Sequence, residues 1–158
     1  MSPEITIQIP AETQAKIDKI AQLPSDIPVA IKRGMDYALS VVRGRIQAQR
    51  LSGKGPYPPS EHRLGIVTQQ LQRSLREEPA VIAGDKITGA IGSPVFYGAL
   101  HEYGWSGTVV RGTKSGTTSY RMTIPERAPV RTGVQENADF IAEQIGAEID
   151  KTLAATGP

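Results

Sequence analysis

The chain has 158 residues, 18 Lys+Arg, 16 Asp+Glu, two His and no Cys. That length suits one domain with an arm. Without Cys there is no disulfide framework, Cys-ligated zinc, iron–sulfur cluster or thiol nucleophile, and His62 and His101 alone cannot build a polyhistidine site. No apolar run approaches the roughly 20 residues of a membrane span. The opening Met-Ser-Pro-Glu-Ile-Thr does not read as a secretory signal, so the expected compartment is the cytoplasm. The net charge of +2 is unevenly spread. Residues 1–76 hold 11 basic and 6 acidic side chains, and residues 77–158 hold 7 and 10. Such asymmetry fits either a nucleic-acid surface or charge-complementary faces of an oligomer.

In chain order, Ile5, Ile7 and Ile9 alternate with polar residues and predict a short strand ended by Pro10. Ala11 to Gln22 reads as a short helix. Residues 1–24 together form an N-terminal arm. From Ile27 to about Leu51, apolar residues recur at three- and four-residue steps and predict the longest helix. Residues 52–63 carry two Gly and three Pro and read as a flexible loop. Thr68 to Leu75 predicts a brief helix capped by Thr68. Ala80–Ala83 and Lys86–Ile91 flank Gly84-Asp85 and predict a hairpin. Pro94 to Tyr103 predicts one to three helical turns. Residues 104–119, rich in Gly, Ser and Thr, read as a second flexible loop. Tyr120 to Ile124 alternates as a strand. Pro125 to Pro129 forms a stiff corner, and a last helix opens at Thr132-Gly133. The expected fold is a single α+β domain. A small antiparallel sheet packs against the long helix and the C-terminal helix.

Candidate chemistry is sparse. His101-Glu102 begins like a zinc-protease helix, but Trp105 stands where the second His is required. There is no Gly-x-Ser-x-Gly elbow, P-loop or dinucleotide fingerprint. The expectation is a protein that is not an enzyme and needs no cofactor or metal. Lys32 to Arg76 holds nine basic residues against Asp36 and Glu61. Arg63, Arg73 and Arg76 are its candidates for phosphate contacts, though a solvated face explains the same charges. Phe96, Tyr97, Tyr103 and Trp105 hold four of the eight aromatics. Phe96 and Tyr97 read as core. Trp105 reads equally as core or as an interface anchor.

Three segments share a pattern. Val95-Phe96-Tyr97-Gly98-Ala99-Leu100-His101-Glu102-Tyr103-Gly104 resembles the Tyr-x-x-x-His-x-(aromatic)-Gly signature of the phage virion morphogenesis family, structural proteins of tailed bacteriophages also described as tail completion or neck proteins. Upstream, Leu64 to Leu75 resembles the family's Leu-Thr-Gly-x-Leu-x-x-Ser-Ile/Leu element, with Gln69 in place of Gly. Downstream, Ile124 to Val130 resembles its Ile-Pro-x-Arg-Pro-Phe corner, with Ala128-Pro129-Val130 in place of Pro-Phe. The resemblance implies a virion protein assembled in the host cytoplasm. It implies a homo-oligomeric ring, commonly sixfold, between the head connector or adaptor and the tail tube or terminator. It also implies non-specific contact with channel DNA and no membrane. A tail terminator and a DNA-binding accessory protein are the alternatives. On this reading Tyr57, Trp105, Arg111 and Lys114 are contact residues. Tyr97, His101, Gly104, Pro125 and Arg127 hold the motif turns, and His101 is expected to bond backbone there.

Overall fold

A computed structural model describes residues 26–53, 64, 69–113 and 116–155. Helix α1 (Asp26–Gln49) opens with Asp26 in its first turn, where a carboxylate complements the helix dipole. Ile27, Ala30, Ile31, Met35, Ala38, Leu39, Val42 and Ile46 fall on one face, and all are buried. That face meets helix α5 (Ala138–Ala155), which supplies Ile141 and Ile145. The two backbones approach closely at Gly34, where a Cβ would stand 2.8 Å from the Cα of Ile145.

Between these helices the chain forms α2 (Gln70–Ser74), β1 (Arg76–Ala83), β2 (Lys86–Gly92), α3 (Phe96–Tyr103), β3 (Trp105–Thr113), β4 (Gly116–Ile124) and α4 (Pro129–Glu136). The architecture is α+β, as expected. The sheet, however, is not single. Among the described residues there are two separate two-stranded antiparallel sheets, β1–β2 and β3–β4.

The first hairpin turns at Gly84-Asp85, with Gly84 at φ 63°, and pairs Ala83 with Lys86. It packs on α1 through Ala80 and Ile91, both buried. Its register shifts between Glu78 and Val81, around Pro79, which has no N–H to give the ladder. Asp36 Oδ1 accepts the Ala80 N–H instead, at 2.6 Å. Burial opposes the charge on Asp36, but hydrogen bonds from Lys32 and Ala80 outweigh it and hold the carboxyl below its usual value.

Four expectations need correction. Residues 104–119 are not a loop: Trp105–Thr113 and Gly116–Ile124 form a second hairpin. Its β-branched Thr and Val suit strands, and the glycines between them obscure the alternation. The last helix does not open at Thr132. A helical turn starts at Pro129, whose fixed φ suits the first position, and the chain breaks at Asn137 before α5. Phe96 is not core but 80% exposed, one face with Tyr103 seven residues on. The brief helix spans Gln70–Ser74 and ends before Leu75, which is extended. The arm at 1–24, the cap at Thr68 and the loop beyond Gly53 up to residue 63 lie outside the described residues.

Candidate assembly site

The three motif segments meet in space. Helix α3 ends at Tyr103, so its last carbonyls lack helical partners. The His101 carbonyl accepts the N–H groups of Arg127 at 2.9 Å and Ala128 at 3.2 Å. The opposite deficit exists at α4, whose first amides lack partners. Pro129 has no N–H, and Ala128 has no side-chain oxygen with which to cap. Glu102 supplies both acceptors. Its Oε2 takes the Val130 N–H at 3.1 Å and its Oε1 takes the Arg131 N–H at 2.7 Å. Each helix thus completes the other's terminus.

Glu102 is 4% exposed. Burial pushes its carboxyl above the usual range, against the pull of the two amides and of nearby Arg131. Beside it, Arg131 pairs with Glu126 and lies over the Tyr103 ring at 5.9 Å from its centre.

Gly104 sits where α3 hands over to β3. Its φ is 73°, and a Cβ there would stand 3.0 Å from the Glu126 nitrogen. Both facts favour Gly at this position. The first motif joins from the other side. Leu71 Cδ1 would lie 2.9 Å from a Cβ at Gly98, and the hydroxyls of Ser74 and Ser93 are 2.7 Å apart. Helix α2 is docked on α1 by a reciprocal pair: Gln47 Nε2 donates to the Gln72 carbonyl at 2.8 Å, and Gln72 Nε2 to the Gln47 carbonyl at 3.0 Å.

Both non-glycine residues with positive φ among the described residues lie in the motifs. Gln69 at φ 59° precedes α2, and Ala128 at φ 43° precedes α4. Gln69 thus holds a left-handed backbone that glycine adopts more readily. Such backbone costs energy and persists only where the surroundings fix it.

The expected residues fall into three groups. His101, Gly104 and Arg127 belong to this knot, with Tyr97 part-buried on α3 and Pro125 exposed at the corner. His101 bonds backbone through its carbonyl and not its imidazole: Nδ1 is buried with no hydrogen-bond partner among the described residues. Burial and the charge of Arg127 depress the pKa of its ring. Trp105 and Arg111 lie outside the knot, exposed on β3. Arg73 and Arg76 are exposed at the end of α2 and the start of β1. Tyr57, Arg63 and Lys114 lie outside the described residues. The sequence does not single out Glu102 as the acceptor for the Val130 and Arg131 amides. Its signal was an uncappable helix start at Ala128-Pro129, which requires an acceptor from elsewhere.

The basic span does not form an open cationic surface along α1. Lys32 pairs with Asp36 at 2.5 Å, Arg33 with Glu148 at 3.8 Å, Arg43 with Glu77 at 2.6 Å and Arg50 with Glu136. Arg45 donates to Asn137 Oδ1 at 2.5 Å and stacks over Phe140 at 4.0 Å. Three of the four carboxylate partners come from the acidic half. Among the described residues no group of three or more His, Asp and Glu is placed to hold a metal. No helix there is long and apolar enough to cross a membrane. Comparison with family models, with curated proteins and with solved structures yields no match.

Proposed function

We propose that this chain is a structural subunit of a bacteriophage virion that completes the tail or joins it to the head. It acts by assembly and not by catalysis. It forms a homo-oligomeric ring, sixfold by analogy with the family it resembles, against the head connector and the tail tube. The observation that supports this reading is the convergence of the three motif segments. They are separated in the chain, yet they hold one another through Leu71 and Gly98, Glu102 and α4, and His101 and the corner. The knot stands at the root of hairpin β3–β4: the chain leaves it at Gly104 and returns at Pro125. A rigid root under a projecting arm suits a subunit that reaches its neighbours. Both Glu102 oxygens are occupied by backbone amides, which is a structural use of a carboxylate.

Gold-labelled protein added to isolated, uncompleted tails and heads tests the reading. Label at the head-proximal tail end or at the connector is expected. A protein that ignores both particles but binds duplex DNA at moderate salt contradicts it.

A further inference from the structure

Hairpin β3–β4 has two unlike faces. Residues paired across an antiparallel ladder point to the same side, and successive residues alternate. Trp105 pairs with Ile124, Gly107 with Met122, Val109 with Tyr120 and Arg111 with Thr118. One face is therefore apolar and ends in Arg111 toward the tip. The other carries Ser106, Thr108, Ser119, Arg121 and Thr123, around a single Val110. On the apolar face Trp105, Tyr120 and Met122 are 36%, 47% and 39% exposed. Strands of nine residues that pack chiefly on each other are marginal in water without a covering layer. This face is built to be covered.

Charge indicates what covers it. Residues 105–124 contain Arg111, Lys114 and Arg121 and no Asp or Glu. Arg111 and Arg121 are exposed and make no ion pair among the described residues. The counterpart lies on α5. Asp139, Glu143, Ala147, Asp150 and Ala154 recur at steps of four, four, three and four, all exposed on one helical face. The three carboxylates make no ion pair among the described residues. The cations near α5 serve Glu148 instead, through Arg33 and Lys151. The alanines leave the stripe flat enough for a two-stranded ribbon. Within one subunit the hairpin and α5 share no extensive contact among the described residues.

We infer that the apolar, basic face of hairpin β3–β4 docks on the acidic, alanine-lined stripe of α5 in a second copy of this chain. The contact is heterologous. Each subunit offers a hairpin to one neighbour and a helix to the other, which closes into a ring when the rotation allows. The inference deepens the assembly reading and rests on it for that closure.

Charge exchange between two variants tests it by sedimentation of the full chain. The Arg111→Glu/Lys114→Glu variant reverses the hairpin, and Glu143→Lys/Asp150→Lys reverses the stripe. Wild type is expected to self-associate at high micromolar concentration. Each variant alone should weaken by on the order of 100-fold or more, since like charges then meet. Mixed together they should recover, because every contact in an alternating assembly again joins opposite charges. Arg121→Glu, on the other face, should weaken association much less than Arg111→Glu. Unchanged far-ultraviolet circular dichroism and melting would show that each variant folds. A wild type that stays monomeric overturns the inference. So do variants that associate unaided, a mixture that fails to recover, and Arg121→Glu acting as strongly as Arg111→Glu. Association that survives both reversals but is lost on deleting residues 1–25 overturns it too, and assigns the face to that segment. These readings use no tails, so they separate from the function: copies that exchange charge but ignore tails keep the contact and lose the virion role. Copies that bind tails but fail the exchange do the reverse.

Discussion

Glu102 holds two orphan amides at the start of α4, and no neighbour in the chain could do so. Replacing it with Ala leaves two part-buried N–H groups unpaired, each costing up to about 1–3 kcal/mol. Glu102→Ala should therefore lower the melting temperature clearly, and Glu102→Gln, which keeps one acceptor, should fall between. A Glu102→Ala protein that melts like wild type would show that water replaces the carboxylate without loss. His101 makes a pH prediction. Its ring is held below the ordinary value of about 6.5 by burial and then by Arg127. The unfolded chain therefore takes up the proton first, and stability falls as pH drops through about 6.5. Glu102, with its carboxyl pushed up, titrates in the opposite sense: the folded state takes its proton first, which favours folding as pH drops. Comparing variant with wild type isolates the histidine. In urea unfolding at pH 5.5 and 7.5, His101→Gln should lose less stability on acidification than wild type does. Equal losses would contradict the assignment. At this scale the sequence singles out the turn after α3, where Gly104 has φ 73° and the His101 carbonyl bonds the corner. It does not single out Glu102, because the partners of that carboxylate lie 28 and 29 residues away.

Among the elements, α1, hairpin β1–β2 and α3 could be read directly. Their apolar residues recur with the period of the element, and Gly84-Asp85 marks the turn. Hairpin β3–β4 could not. Its alternation is interrupted by Gly107 and Gly112, and among the described residues its strands pack chiefly on each other, so a strong hydrophobic pattern was not needed for folding. The start of α4 escaped for a related reason, since its cap comes from α3 and not from the residues before it. The packing gives a direct expectation. Replacing residues 106–123 by a short Gly-Ser turn should leave the melting temperature within a few degrees of wild type, because the core of α1, α5 and β1–β2 is untouched. It should abolish self-association. A large loss of stability on excision would show that the hairpin supports the subunit's own core.

Across the whole molecule, the opposite charges of the two halves are used first for folding. Arg33 and Arg43 of α1, and Arg50 just beyond its end, reach Glu148, Glu77 and Glu136. Such part-exposed pairs contribute little each, roughly 0–1 kcal/mol, but they tie helices and strand to one frame. Among the described charges that make no ion pair are Arg111 of the hairpin and Asp139, Glu143 and Asp150 of α5, two groups of opposite sign. The asymmetry of the two halves fits a nucleic-acid surface or the faces of an oligomer, and part of it is used in ion pairs within the subunit, which composition cannot reveal. The knot of three segments, the hairpin it roots and the stripe on α5 are the features on which the proposed ring rests. The most direct measurement is the mass that isolated tails gain when saturated with the protein. A gain of one fixed multiple of the 17.0 kDa chain, the same for every tail and greater than one copy, is the expected result. No gain, or a gain of a single copy per tail, would contradict the ring.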